Sequence, residues 1–218
     1  MEFRERIRSV ALGDGAWLPP EPRDAASMVL IHDGRVLMMR RAASMRFAPG
    51  MYVFPGGRVE DVDRESSDPF LACAVREVAE EVGVELLPAA TFIDHWITPE
   101  FETVRFDVRF YAVEVPEDVA AAATLTTSEG DALVWQGPME ALALPILRPT
   151  RGVLTKVDSY LRDGSWSVPA PSLPRPRIRG AADDIRWDVV HAYSGEVLEA
   201  DVVGPALAEA TATSVVDS

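Results

Sequence analysis

The segment from Asp68 to Gly83 constrains the fold more than any other part of the sequence, because it carries local signals for both ends of a helix. Asp68 is a preferred N-cap residue, Pro69 suits the first helical position, and Gly83 is typical of a helix end. The apolar residues between these ends recur every three or four positions and form one narrow stripe, made of Leu71, Val75, Val78 and Val82. We therefore predict an amphipathic helix that packs one face on a core.

The face opposite this stripe carries three carboxylates. At about 100° per residue, Glu77, Glu80 and Glu81 share one sector of roughly 100°. Like charges at these spacings destabilise a helix by a few tenths of a kcal/mol per pair. One interpretation is a solvated acidic face. The other is a site for a hard divalent cation, since carboxylate oxygens are the ligands that such ions prefer.

Short apolar runs separated by turn residues surround this helix and predict strands. Asp33 and Gly34 form a dipeptide that is preferred in two-residue hairpin turns, which places strands at 27–31 and 36–39. The same reasoning predicts strands at 51–54, 90–97, 104–115, 131–135, 185–193 and 195–202. It also predicts a short helix that begins within 4–8, a second short helix at 138–142 and a longer helix at 148–162. The elements follow no regular βαβ rhythm, so we expect a mixed α/β sandwich rather than a doubly wound sheet.

Charge and composition exclude several classes of protein. The 218 residues include 21 basic and 35 acidic side chains, and the net charge of −14 argues against non-specific nucleic-acid binding. No apolar run approaches the roughly 20 residues of a membrane-spanning helix, and no apolar stretch follows residues 1–6, which argues against a secretory signal. Cys73 is the single cysteine, which excludes intrachain disulfides and cysteine-based zinc sites and favours a cytoplasmic location.

The residues around the predicted helix carry a family resemblance. Gly57 and the run 76–84 resemble the Nudix box, Gly-x5-Glu-x7-Arg-Glu-U-x-Glu-Glu-x-Gly-U, in which U is apolar. The second half of the box matches at every defined position, and the run 54–57, Phe-Pro-Gly-Gly, strengthens the match. The first half contains five inserted residues, and Asp63 stands six positions after Gly57 where the family has Glu. The other candidates for this loop carboxylate are Glu60, Asp61 and Glu65.

The resemblance implies a Nudix-like α/β/α sandwich with a mixed central sheet, and a hydrolase that acts on phosphorus-containing anhydrides. It implies that Glu80 and Glu81 bind Mg²⁺ or Mn²⁺, together with the backbone carbonyl of Gly56. Glu77 would be a further ligand, or the group that orients or deprotonates the attacking water. A bound divalent ion polarises the phosphoryl group and lowers the pKa of bound water.

Further residues receive roles from the same resemblance. Arg76 would orient the glutamates, and Gly57 and Gly83 would support the site structurally. Many family members recruit an additional acid from a later loop. Glu129 is the candidate for this catalytic role, with Asp131 behind it in the sequence.

The residues before the box bear on the substrate, which is expected to be a small nucleoside diphosphate derivative. Arg41, Arg46 and Gly50 keep a spacing similar to the upstream motif of the coenzyme A diphosphohydrolase branch, although Ala42 stands where that motif prefers Ser. Guanidinium groups suit phosphate oxygens, so Arg41 and Arg46 are candidate substrate-binding residues. The alternative is that they only shape a surface loop. Coenzyme A-type and ADP-ribose-type substrates are favoured, and dinucleoside polyphosphates and nucleotide sugars stay open.

A different class of function is also consistent with the fold, namely a catalytically silent Nudix-like domain that binds a nucleotide as a sensor or assembly module. We expect an N-terminal extension at 1–24, the Nudix domain at 25–165, a C-terminal extension packed on it at 166–205 and a disordered tail at 206–218. Four prolines predict that 168–176 is a linker or an extended strap. A homodimer is a further expectation.

Overall fold

The computed structural model describes residues 1–87, 89–167, 169–179 and 184–202. The predicted tail at 206–218 lies outside the described residues. The helices are α1 (Phe3–Leu12), α2 (Pro69–Val82), α3 (Glu117–Ala122), α4 (Pro138–Ala141) and α5 (Arg148–Asp163). The strands are β1 (Arg23–His32), β2 (Arg35–Arg41), β3 (Tyr52–Val53), β4 (Gly56–Arg58), β5 (Thr91–Ile97), β6 (Phe106–Glu114), β7 (Gly130–Gln136), β8 (Pro171–Arg179), β9 (Asp184–His191) and β10 (Val197–Val202).

The described residues divide into two compact units. The larger unit comprises 25–94 and 109–169, and the smaller unit comprises 1–24, 95–108 and the described residues from 170 onward. Strands β5 and β6 contribute residues to both units. Among the described residues, no helix is both long enough and apolar enough to cross a lipid bilayer.

The sheet of the larger unit is built around β1 and β2. Strand β1 lies between β6 and β2, pairs antiparallel with β2, and also pairs antiparallel with the short strand β4. Strand β7 pairs antiparallel with β2 along most of its length. At the predicted hairpin turn, Asp33 and Gly34 have φ angles of 47° and 69°, the left-handed values that this type of turn requires.

The core of the larger unit confirms an amphipathic α2 but shifts its buried face. Val78 and Val82 are fully buried against strand residues such as Met28, Leu30 and Leu37, as predicted, whereas Leu71 and Val75 are only half-buried. Cys73 and Ala74 are fully buried in their place. The buried arc is therefore rotated toward the glutamate side of the helix.

The smaller unit contains α1 and the strands β8, β9 and β10. Strand β8 runs parallel to the end of β5, with His95 opposite Pro171, and antiparallel to β9. Strand β10 pairs antiparallel with β9. The ring of Phe101 packs edge-to-face on Phe3 and Trp187, with ring centroids 5.6 and 5.2 Å apart.

Of the two interpretations of 168–176, the linker is wrong for most of that range and the extended conformation is confirmed, because β8 occupies Pro171–Arg179 and pairs with β9 over eight positions. Proline removes a backbone donor, but successive N–H groups of a strand point to opposite edges. Pro174 and Pro176 are two residues apart, so their missing donors fall on one edge and the other edge can still pair. Helix α3 was not predicted, because a six-residue segment following Pro116 offers no apolar period of its own.

Candidate active site

Helix α2 is fixed at both ends by the residues that the sequence indicated. The Asp68 carboxylate accepts a hydrogen bond from the Leu71 N–H at 3.1 Å, and the Tyr111 hydroxyl donates to both of its oxygens at 3.2 Å. Gly83 ends the helix with φ 66°, and its N–H donates to the Ala79 carbonyl at 3.2 Å. The predicted N-cap and C-terminal stop are therefore confirmed, and the acidic residues of the helix have fixed positions.

The two glycines of β4 allow the backbone to approach α2 closely. Gly56 lies opposite Ser27 in β1, and a Cβ atom there would collide with the Ala26 carbonyl and the Ser27 side chain. A Cβ atom on Gly57 would collide with the carboxylate of Glu77. Glycine is thus required sterically at position 56, where backbone atoms lie in the way, and Gly57 gives the Glu77 carboxylate its space.

Glu81 is the buried carboxylate of the site. It is 5% exposed and accepts a hydrogen bond from the Gly56 N–H at 2.9 Å. Burial raises the pKa of Glu81 to about 7, and the nearby charges of Glu77 and Glu129 act in the same direction. The Gly56 hydrogen bond and the Arg41 charge oppose this increase.

Glu77 and Glu80 lie on the same side of α2 and differ in exposure. The side chain of Glu77 is 14% exposed and that of Glu80 is 59% exposed. Burial raises the pKa of Glu77, Arg76 opposes the shift, and the negative charges of Glu80 and Glu129 add to it. Burial is the main cause of the raised pKa values of Glu77 and Glu81, and repulsion from the neighbouring carboxylates adds to it.

Arg76 connects these acids to the loop before the helix. Its Nη1 atom lies 3.0 Å from both Glu77 Oε1 and Glu80 Oε2. Its Nε and Nη2 atoms donate to the two oxygens of Asp63 at 3.1 and 3.0 Å, and Nη2 also donates to the Arg58 carbonyl at 3.1 Å. The guanidinium plane is therefore held from the loop side while it orients two glutamates.

Of the four candidate loop acids, Asp63 is the one that pairs with Arg76 within the described residues, and its role in place of the first box Glu stays a prediction. It is 3% exposed, belongs to a 3-10 turn at Asp63–Glu65, and accepts a hydrogen bond from the Glu60 N–H at 2.8 Å. Burial raises the pKa of Asp63, but the hydrogen bonds and charge of Arg76 outweigh this effect and leave it below its usual value. The 3-10 turn takes up part of the five-residue insertion.

The loop before β7 brings Glu129 to the same region. The Thr126 hydroxyl donates to the Glu80 carbonyl at 2.6 Å, and the Thr126 N–H donates to the Glu81 carbonyl at 3.0 Å. Glu129 is exposed, and its charge acts on both Glu77 and Glu81. Asp131 is engaged elsewhere, since its carboxylate accepts a hydrogen bond from Arg40 Nε at 2.6 Å.

The two candidate phosphate-binding arginines differ in their surroundings. Arg41 Nε donates to the Phe47 carbonyl at 2.9 Å, and the Arg41 charge acts on Glu81. Arg46 is exposed, and no contact among the described residues joins it to the acidic residues. The loop that carries Arg46 is connected to the site by the Ala42 N–H, which donates to the Glu129 carbonyl at 2.8 Å.

The acidic side chains do not form a ready-made metal site. Within the described part of the chain, no group of three or more His, Cys, Asp or Glu side chains is arranged to hold an ion. Arg76 lies between the carboxylates of Glu77 and Glu80, and Glu81 is bonded to Gly56. The donors are nevertheless all oxygens with surplus negative charge, a chemistry that fits a hard divalent cation. The predicted ligand set stays a prediction.

Comparison with known proteins decides the family. A family model described as the NUDIX domain matches residues 21–157, which is more than half of the chain. The chain belongs to the Nudix family. This Nudix protein is 30% identical over 123 residues to the CTP pyrophosphohydrolase of Escherichia coli, a match that covers 56% of the chain and 82% of that protein. It is 45% identical over 64 residues to the putative nudix hydrolase 7 of Caenorhabditis elegans. This match covers 28% of the chain and 22% of the length of that relative.

The solved structures agree with this assignment. A NUDIX hydrolase from Alicyclobacillus acidocaldarius superposes with a TM-score of 0.58 at 25% identity, covering 68% of the chain and 98% of that structure. The predicted family and the predicted α/β Nudix fold are therefore confirmed. The predicted enzyme class, a hydrolase of phosphorus-containing anhydrides, is confirmed at that level by the family and its named pyrophosphohydrolase relative.

Proposed function

We propose that this Nudix protein hydrolyses the diphosphate bond of a nucleoside diphosphate linked to another group, with Mg²⁺ or Mn²⁺ bound by its glutamates. The observation that carries this proposal is the arrangement of three glutamates on α2: Glu77 and Glu80 share the guanidinium of Arg76, and Glu81 is buried against the Gly56 N–H. Divalent cations neutralise such a cluster and can join it to the negative oxygens of a diphosphate.

The residues that would hold the ion are Glu77, Glu80, Glu81 and the carbonyl of Gly56. When bound, the ion would polarise the phosphoryl group and lower the pKa of a coordinated water. The protein itself supplies orientation. Asp63 anchors Arg76, and Arg76 directs Glu77 and Glu80, so these two carboxylates share one anchored partner.

Two further groups complete the proposed reaction. Glu129 faces the buried glutamates and is exposed, which suits an acid that exchanges protons with water, and Glu77 is the alternative group for orienting or deprotonating the attacking water. Arg41 and Arg46 would bind phosphate oxygens of the substrate, since both belong to the strand end and loop beside Glu129.

The choice among candidate substrates depends on the chemistry of the site residues rather than on any single contact. Arg41 and Arg46 suit phosphate oxygens and keep a spacing similar to the coenzyme A diphosphohydrolase motif, so coenzyme A-type and ADP-ribose-type compounds are our first candidates. The named activity of the Escherichia coli relative adds CTP to the compounds worth testing. The silent sensor module is disfavoured, because Glu77, Glu80 and Glu81 are all present. A homodimer and a cytoplasmic location stay predictions.

Phosphate or nucleotide release from a panel of coenzyme A, ADP-ribose, diadenosine polyphosphates and CTP, with Mg²⁺, Mn²⁺ or a chelator, tests this proposal. We expect turnover that needs the divalent ion. Glu81→Gln should reduce kcat/KM on the best substrate by about 100-fold or more, because the carboxylate charge is lost where the ion would bind.

Glu65→Gln is the matched control, since Glu65 is an exposed acid on the same loop–helix region and should keep the parent rate. Parent-level activity of Glu81→Gln, or turnover unaffected by the chelator, would show that the site assignment is wrong. Binding of a nucleotide without turnover of any compound would favour the sensor module instead.

A further inference from the structure

An open pocket of about 420 Å³ lies on the larger unit, and its lining contains none of the residues proposed for hydrolysis. Its lining includes Ile31 at the end of β1, Ala90 and Ala112, Glu114 at the end of β6, Tyr160 on α5 and Trp166 after α5. We call it the Tyr160–Trp166 pocket. Its volume falls within the range of pockets that hold small organic ligands.

The aromatic wall of this pocket is a stacked pair. The rings of Tyr160 and Trp166 are parallel to within 5°, with centroids 4.1 Å apart. The small alanine side chains opposite leave room beside this wall. Flat walls of this kind favour a planar ring, because base–aromatic stacking contributes about 1–3 kcal/mol per base and depends little on which base it is.

The charged group in the lining of the pocket is the Glu114 carboxylate, which has capacity to accept more hydrogen bonds. The Tyr160 hydroxyl donates to Glu114 Oε1 at 2.9 Å, and this hydrogen bond raises the pKa of Tyr160 and keeps the hydroxyl protonated. An ionised carboxylate offers about four acceptor positions and no donor. Glu114 therefore selects a ligand that brings N–H donors, and it repels a phosphate, in a protein whose net charge is already −14.

We propose that the Tyr160–Trp166 pocket binds a planar heteroaromatic ring that carries an exocyclic amino group and no phosphate, the chemistry of the base in a free nucleoside. The ring stacks against the aromatic wall, and its amino group donates to Glu114. This inference does not depend on the proposed hydrolysis, since no residue of the pocket belongs to the acidic cluster on α2.

The test is an NMR titration of the full chain, following the backbone amides of Ala89, Thr91 and Glu114 and the indole N–H of Trp166. Cytidine and uridine are the matched ligands, because they differ by an amino group and a carbonyl at one ring position. We expect saturable shifts at these signals with cytidine and with adenosine. Uridine and cytidine monophosphate should bind about tenfold more weakly, since each loses or opposes the contact with Glu114.

Variants make the result specific to this pocket. Ala89→Leu fills the cavity from an exposed position and should abolish the shifts while leaving hydrolysis at the parent rate. Glu114→Gln should weaken cytidine binding by about tenfold, because the charged acceptor is lost. Asp118→Asn, an exposed acid on α3, is the control and should bind normally.

Three results would overturn the inference: equal affinity for uridine and cytidine, shifts that map to α2 instead of the pocket, or unchanged binding by Ala89→Leu. Absence of saturable shifts with any nucleoside would do the same. Failure of the hydrolysis assays leaves this titration unaffected, so the two proposals fail separately.

Discussion

The pairing of Arg76 with Asp63 shows how a single residue can determine the geometry of several others. One guanidinium serves a buried aspartate on the loop side and two glutamates on the helix side. Without the aspartate, the guanidinium would keep only the Arg58 carbonyl as a partner on the loop side, and the position of its contacts with the two glutamates would be less restricted. The effect of Asp63 on the proposed reaction is therefore indirect, through the positions of other side chains.

Asp63→Asn removes the charge and keeps the shape, and we expect it to lower the free energy of unfolding by about 2 kcal/mol. The pKa of Asp63 is lower in the folded than in the unfolded state. Its contribution is therefore fully present above the unfolded pKa and is lost as the pH falls through the folded pKa. Urea unfolding at pH 7 and at pH 3 measures this, and the difference between parent and variant should narrow at pH 3. A constant difference at both pH values would contradict the ionic role.

Cys73 provides a second test at the level of a single side chain. The thiol is fully buried on α2, and burial together with the charges of Glu77 and Asp63 raises its pKa to about 12. We expect no alkylation by iodoacetamide at pH 8 in the folded protein and complete alkylation after unfolding, because the thiolate is the reactive form. Mass spectrometry after timed exposure measures both. Rapid alkylation of the folded protein would show that α2 is not packed as described.

Among the elements, helix α2 could be predicted most completely from the sequence. The contacts between α2 and the elements packed against it could be predicted least completely. Asp68, Pro69 and Gly83 are local signals that act within one turn of the chain, so they need no knowledge of the rest of the fold. The burial of Glu81 could not be derived in the same way. It depends on Gly56 in β4, whose N–H donates to Glu81. The position of Gly56 next to α2 is set by the pairing of β4 with β1 rather than by helical periodicity.

The same reasoning explains why the loop acid stayed open and why the strand β8 was missed. Family spacing alone could not choose between four acidic residues once five residues were inserted, because the choice depends on which carboxylate reaches Arg76. The prolines of β8 disfavour a strand locally, but pairing with β9 outweighs them. At Pro174 and Pro176 this pairing involves partners more than ten residues away in the sequence.

The N-cap of α2 can be tested as an element. Asp68→Ala removes the hydrogen bond to the Leu71 N–H and the partner of the Tyr111 hydroxyl, so we expect a loss of about 1.5 kcal/mol in the free energy of unfolding. Tyr111→Phe removes only the second contact and should cost less, about 1 kcal/mol. Chemical denaturation of both variants measures the difference. A larger loss for Tyr111→Phe than for Asp68→Ala would contradict the capping role.

His32 joins the end of β1 to the start of α3 and makes this connection sensitive to pH. Its Nδ1 lies 3.0 Å from the Val115 carbonyl and its Nε2 lies 2.8 Å from Glu117 Oε2. The hydrogen bond to Val115 is the main cause that raises the pKa of His32, and Glu117 adds to it. The stabilisation is thus fully present below pH 6.5 and is lost as the pH rises through the folded pKa.

NMR titration of the imidazole should give a pKa above 6.5 in the parent protein. Glu117→Gln should bring it closer to 6.5, because the anion that favours the protonated ring is gone. Asp118→Asn, the neighbouring acid on the same helix, should leave it unchanged. A parent pKa at or below 6.5 would show that the two contacts do not persist in solution.

At the scale of the whole molecule, charge is the dominant property. The chain carries −14, and its Nudix helix adds three carboxylates within one sector, so folding concentrates negative charge that the unfolded chain spreads out. Within the described residues, Arg76 and Arg41 are the cations that act on these glutamates. A bound divalent ion would relieve the repulsion that remains, and this coupling makes stability itself a measure of ion binding.

We therefore expect Mg²⁺ or Mn²⁺ to raise the melting temperature. An ion at 100 times its Kd stabilises the folded state by about 2.7 kcal/mol, which corresponds to a rise of roughly 5–10 °C for a chain of this size. Differential scanning calorimetry with the divalent salt, compared with NaCl at equal ionic strength, separates specific binding from screening. Glu80→Gln should remove most of the rise in melting temperature, because it removes a proposed ligand of the ion. Since Glu80 is exposed, this substitution leaves the packing of α2 intact. Glu65→Gln should retain the full rise. An equal rise in NaCl, or in Glu80→Gln, would mean that the ion does not bind where the carboxylates of α2 converge.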